Sequence, residues 1–196
     1  YTMYTDNTLT PKEAVRLCAL GTLSIQPMPY GAQSSMSYGA QSSMPYGALA
    51  ESIRHFVSHV IGPSLDVMGQ SIELLRYEGL VDFIQNDGED DELLVITGSG
   101  RDALKTLLLA PVRMGATELN KLIIALKFRF LHVLDASDQQ GQILMLTDYA
   151  ENELVRLSEL RRTHAADEGH IASWLDHDIE LARLRVQWLE DFTTHK

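Results

Sequence analysis

His55 and His59 stand four residues apart in "RHFVSHV", the spacing at which two imidazoles on one helix can grip a metal ion. Two ligands make no complete site, and the neighbouring Ser52 and Ser58 add little, so solvated or phosphate-facing rings are expected. His164, Asp167, Glu168, His170 and His177 form a richer group, but they straddle Gly169 at an expected helix-helix turn. Capping and surface charge account for them, and no metal is expected. Cys18 is the single cysteine, which excludes an internal disulfide and a thiolate zinc cluster. It reads as a small buried hydrophobe. Glu89, Asp90, Asp91 and Glu92 are consecutive and read as a solvated turn. The chain has no glycine-rich phosphate loop, nucleophile elbow or HExxH, so it is not read as an enzyme and no cofactor is expected. Trp174 and Trp188 lie two heptads apart, as dimer packing or as walls for a planar aromatic effector.

The elements that must hold these residues are mostly helical. A chain of 196 residues with 45% hydrophobic and 22% charged residues can bury a sizeable core. "KLIIALKFRFLHVL", its most apolar run, carries three cations and falls short of the roughly 20 residues of a membrane span. No basic stretch followed by an apolar one opens the N-terminus, and a cytoplasmic location is expected. Thr10, Pro11 and Glu13 predict a capped helix with Val15, Cys18, Ala19 and Thr22 on one face. "YGALAESIRHFVSHVIG" and "SLDVMGQSIELLRYEG" predict two more, the latter ending at Gly79. "LVDFIQ" and "LLVITG" flank the polar "NDGEDDE" and predict a hairpin. A fourth helix follows to Pro111, and three long amphipathic helices complete the chain. The last carries Ile171, Trp174, Leu175, Ile179, Ala182, Val186 and Leu189, an expected dimer seam.

Between the first two helices the chain repeats itself, as MPYGAQSS, MSYGAQSS and MPYGALAE over residues 28–51. Removing residues 29–44 restores one copy, so two octapeptides are read as a tandem insertion in a loop. Three short polar units are too few to stack as a solenoid.

The series helix, helix, helix, hairpin, helix followed by long helices resembles the PadR-like transcriptional regulators. Carrying the likeness are "LGTLSIQPMPYGALAESI" with the repeat collapsed, "SIELLRYEGLVDF", "LLVITGSGRDAL" and the tail "HDIELARLRVQWLEDF". The resemblance implies a mainly α fold, an α+β winged helix-turn-helix with a C-terminal helical dimerisation domain. On that basis residues 1–8 form a tail, 9–112 the winged helix with 29–44 inserted, and 113–196 the dimerisation domain. It further implies a homodimeric regulator, usually a repressor, that binds operator DNA and answers to a small aromatic effector where the family uses one. Ser64, Gln70, Ser71 and Arg76 on the third helix would lie nearest DNA, with Arg54 and His55 on backbone phosphates. Trp174 and Trp188 would serve the dimer or the effector. Lys12, Arg16, His59 and Lys105 are further cations for phosphate. One departure stands out: residues 62–102 hold Arg76 and Arg101 against ten acids, a net of −8 within a chain of −11. Such a surface repels phosphate. The second reading is therefore a winged-helix dimer without operator binding, using its acidic face on a basic protein partner or as an anti-repressor.

Overall fold

The computed structural model describes residues 7–25, 43–62, 69–85, 92–115 and 117–194. The first helix, α1 (Pro11–Ser24), opens with the expected capping box. The Thr10 hydroxyl accepts from the Glu13 amide at 3.3 Å, and the Glu13 carboxylate accepts from the Thr10 amide at 2.7 Å. Leu17, Cys18, Leu20 and Leu23 are all fully buried, so α1 runs through the middle of the molecule.

α2 (Tyr46–Ile61) buries Leu49, Ile53 and Val57 and stops at Gly62, whose φ of +85° a side chain would resist. α3 (Gly69–Tyr77) turns Ile72 and Leu75 inward. It ends where Gly79, at φ +71°, lets Leu80 N donate to the Leu75 carbonyl and Gly79 N to that of Arg76. Leu65 and Met68, read as part of this helix, lie outside the described residues.

The expected hairpin is present as β2 (Val81–Gln85) and β3 (Glu92–Ile96), with Phe83 opposite Leu94. A third strand was not foreseen: β1 (Ser43–Pro45) pairs antiparallel with β3, placing Met44 opposite Leu94 on its other side. Three residues are too short to show a period, and the pairing comes from the edge that β3 offers. Ser43 and Met44, the last two residues of the 29–44 segment read as a loop, thus lie on a strand. The first two copies lie mostly outside the described residues.

α4 (Gly98–Leu109) is capped by Thr97, which accepts from Gly100 N at 3.0 Å and donates to the Gly79 carbonyl at 2.8 Å. That pair of bonds fixes the end of α3 against the start of α4. α5 (Glu118–Phe130) packs on α1 and α2, so closely that Gly21 has the Phe130 ring where a Cβ would sit. A 3-10 turn at Leu131–Val133 interrupts what the sequence read as one helix. α6 (Ala136–Thr163) and α7 (Ile171–Thr194) then fold back on each other around Gly169 at φ +111°.

One apolar cluster runs from Leu9 through α1–α5 into the first half of α6, up to Ala150, and takes in Leu189 of α7. Leu157, Leu175, Ile179 and Ala182 form a second cluster at the far end of the α6–α7 pair. Arg161 clamps that end with two bonds to the Asp176 carboxylate, at 2.8 and 3.2 Å.

Candidate nucleic-acid interface

The period of α3 sorts its side chains, leaving Glu73, Leu74, Arg76 and Tyr77 outward once Ile72 and Leu75 face the core. Arg76 lies back over the hairpin, its guanidinium 4.4 Å from the centre of the Phe83 ring. The resulting groove, about 760 Å³, is lined by Tyr46, Ile72, Leu74, Tyr77, Phe83 and Leu94 with Glu73 and Arg76. Gln70 and Ser71 lie on α3, but their side chains, like Ser64 as a whole, fall outside the described residues. So do Asn86 to Asp91 of the acidic hairpin loop.

Arg54 and His55 are exposed on α2. The His55 and His59 rings stack at 4.1 Å, and His59 Nδ1 sits 2.7 Å from the His55 carbonyl. That contact turns the second ring along the helix and not toward a shared ion. Among the described residues no three His, Cys, Asp or Glu side chains converge as a metal site. Arg16 is taken up by Glu78 at 2.8 Å, and Lys105 by Asp138 at 2.7 Å and Asp135 at 3.4 Å. Lys12 and Arg101 are exposed. The cationic surface around α3 is therefore thinner than the sequence suggested.

The expected stripe on α7 divides into two faces. Leu175, Ile179, Ala182 and Leu189 are buried within the protomer, while Trp174 is 54% exposed and Trp188 50%, together with Leu181 at 50%, which was not part of the expected stripe. Adjacent residues on a helix point about 100° apart, so Trp174 and Leu175 cannot share a face. Trp188 stands beside Phe128 at 5.1 Å and Phe192 at 5.8 Å, an aromatic corner where α5 meets α7. Trp174 lies away at the far end of the pair.

A further set of residues escaped the sequence reading. Among the described residues the buried polar side chains are Thr22, Asn120, Lys127 and Gln142. Lys127 is fully buried and donates to the carbonyls of Leu108 and Ala110 and to Gln142 Oε1, the last two at 2.7 Å. Burial pushes its pKa down to about 8. Asn120 Nδ2 donates to the carbonyls of Arg113, at 2.7 Å, and Gly115, and the Tyr149 hydroxyl donates to Gly115 at 2.8 Å. Asn120 and Lys127 are seven apart, as are Gln142 and Tyr149, and that repeat on apolar stripes was the available signal. Cys18 is buried as expected, and desolvation raises its thiol to about 11 despite Arg129 nearby. Such burial fits the small-hydrophobe reading.

The model of a family of AphA-like transcriptional regulators matches the chain in two stretches, residues 4–37 and 33–193. Two solved structures align along most of it. The structure of smu.1604c from Streptococcus mutans UA159 is 14% identical with a TM-score of 0.35, covering 95% of this chain and 99% of that one. Bacillus subtilis PadR in complex with operator DNA is 16% identical with a TM-score of 0.33, covering 91% and 96%. No curated protein matches.

Proposed function

This chain belongs to the AphA-like family of transcriptional regulators, and from that premise we propose that it is a homodimeric, DNA-binding regulator of the PadR-like kind, acting as a repressor in the cytoplasm. Regulators of this family are not an enzyme class. The observation that carries the reading is α3, set against a two-stranded hairpin with its outer face uncovered, in a chain of that family. Gln70 and Ser71 at its N-terminal end would enter the groove, with Ser64, ahead of the helix in sequence, assigned to the same contact, while Arg54 and His55 of α2 meet phosphate. Residues 9–112 form the DNA-facing unit in this proposal and 113–196 the dimer unit, with α5 packed into the first.

The dimer rests on Trp174, Leu181 and Trp188, spaced seven apart with Leu184 beside them and all at least half exposed. Burying such a face against a second copy yields several kcal/mol at about 25 cal/mol per Å². A small planar effector would find aromatic walls at the Phe128, Trp188 and Phe192 corner. Residues 29–44 are read as two inserted octapeptides, and the two family matches overlap at 33–37, inside the repeat.

A second reading has its own support. The outward face of α3 offers Leu74 and Tyr77, Arg76 is folded onto Phe83, and residues 62–102 carry a net of −8. Such a surface suits a basic protein partner. Gel retardation of the gene's own upstream DNA at rising salt separates the two. Retardation that weakens with salt supports the regulator, and none at low salt leaves the interaction protein.

A further inference from the structure

Asn120 and Lys127 on α5 face Tyr149 and Gln142 on α6, in opposite order along the two helices. Each pair is seven residues apart, so the four make two rungs of one polar ladder between helices running in opposite directions. Both rungs read the same backbone. Lys127 holds the carbonyls of Leu108 and Ala110 at the C-terminus of α4. Asn120 holds Arg113 and Gly115, and Tyr149 holds Gly115 a second time. The linker from α4 to α5 is thus fastened by side chains from both of the helices that follow it. An ammonium at the end of α4 also meets the negative pole of that helix.

This arrangement is a costly way to fill a core. Among the described residues no carboxylate pairs with Lys127, so its charge is compensated by neutral oxygens alone. Leucine or methionine would fill the same space without a desolvation penalty. What an apolar side chain cannot do is select one position of the linker carbonyls. α5 belongs to the winged-helix body through its packing on α1 and α2. α6 carries the projecting α6–α7 arm, whose far half has its own apolar cluster. The ladder lies where the two meet.

We propose that Lys127, Asn120, Gln142 and Tyr149 are positioning residues that lock the α6–α7 arm at one angle to the winged-helix body. In a dimer joined through that arm, the angle sets the spacing of the two α3 helices on DNA, a consequence that rests on the regulator reading above. Non-polar packing holds the arm on; the ladder fixes its direction. Sliding by one turn would break both rungs together, so the joint has discrete positions.

Spin labels at exposed Ser99 on α4 and Ser158 on α6, in a Cys18→Ala background diluted with unlabelled protein, report the angle directly. The parent should give one narrow distance. Lys127→Met, Gln142→Leu and Tyr149→Phe should each widen the distribution at least about twofold or split it. Leu126→Ala, which hollows the adjacent core without touching the ladder, should melt earlier yet keep the narrow distance. If Lys127→Met does not fold, Tyr149→Phe and Gln142→Leu still decide the matter. Unchanged narrow distances in the ladder variants overturn the proposal, and equal widening in Leu126→Ala overturns it too, as mere loosening. The same variants should lose about tenfold or more in affinity for a DNA fragment that the parent retards, and unaltered affinity contradicts the coupling. A parent that retards no DNA refutes the regulator reading, while the distances still judge the joint.

Discussion

Lys127 ties its protonation to the stability of the whole chain. Its pKa is near 8 when folded and near the ordinary 10.5 when unfolded. Between those values the unfolded chain holds the extra proton, so folding gains stability as pH rises through the window, and the cost of the buried charge is fully present below pH 8. Unfolding free energies from urea titrations of the parent and Lys127→Met should therefore shift relative to each other in favour of the parent from about pH 8 to 10, by up to about 3 kcal/mol. A constant difference would mean that the ammonium is not desolvated. Gly100 supplies a second residue-scale test. A Cβ there would sit 2.1 Å from the Leu80 carbonyl oxygen and 2.8 Å from Ile96 Cγ1, whereas Gly98 has nothing within 4 Å. Gly100→Ala should cost roughly 2–3 kcal/mol in thermal melts and Gly98→Ala almost nothing. The Thr10 capping box and the burial of Cys18 were legible in the sequence because each depends on neighbours within one or two turns. The Lys127 ladder was not, because its acceptors, the carbonyls of Leu108 and Ala110 and the side chain of Gln142, lie 15 or more residues away on other parts of the chain.

Helices α1 to α7 and the β2–β3 hairpin follow from periodicity and punctuation, since Pro11, Gly62, Gly79 and Gly169 mark their ends. β1 was hidden because three residues show no alternation, and the two faces of α7 were merged because the stripe was read too broadly. That division makes a prediction about the element. Trp174→Lys with Leu181→Lys should yield a monomer in sedimentation at micromolar concentration with little change in melting. Leu175→Ala should instead cost about 2–5 kcal/mol, since it hollows the contact with α6. Retained dimers in the first variant would place the seam elsewhere. The repeat is tested at the same scale. Deleting residues 29–44 puts Pro27, Met28 and Pro45 where Ser43, Met44 and Pro45 now pair with β3, so the methionine opposite Leu94 is restored. The expected melting temperature lies within a few degrees of the parent, and a collapse would show that the extra copies are packed structure.

At the scale of the molecule, charge and fold pull in different directions. The family and the winged-helix order point to DNA, while the net of −8 over residues 62–102 and the ion-paired Arg16 and Lys105 leave few cations to meet it. Binding should therefore be weak and carried by few contacts. Asp90→Lys with Asp91→Lys, in the hairpin loop outside the described residues, should tighten it by removing repulsion. The sequence made the regulator class legible through its element order and quoted stretches. It left the interface unresolved because reading DNA depends on where Arg76 and its neighbours point, which no local pattern encodes. The most direct test of the account is a fluorescence anisotropy titration of the gene's own upstream DNA across about 50–200 mM salt. The account predicts saturable binding that weakens steadily with salt, with Arg54→Ala lowering the slope by about two, one phosphate contact from each protomer. Absent binding at the lowest salt, or binding that Arg54→Ala and salt both leave unchanged, would contradict it.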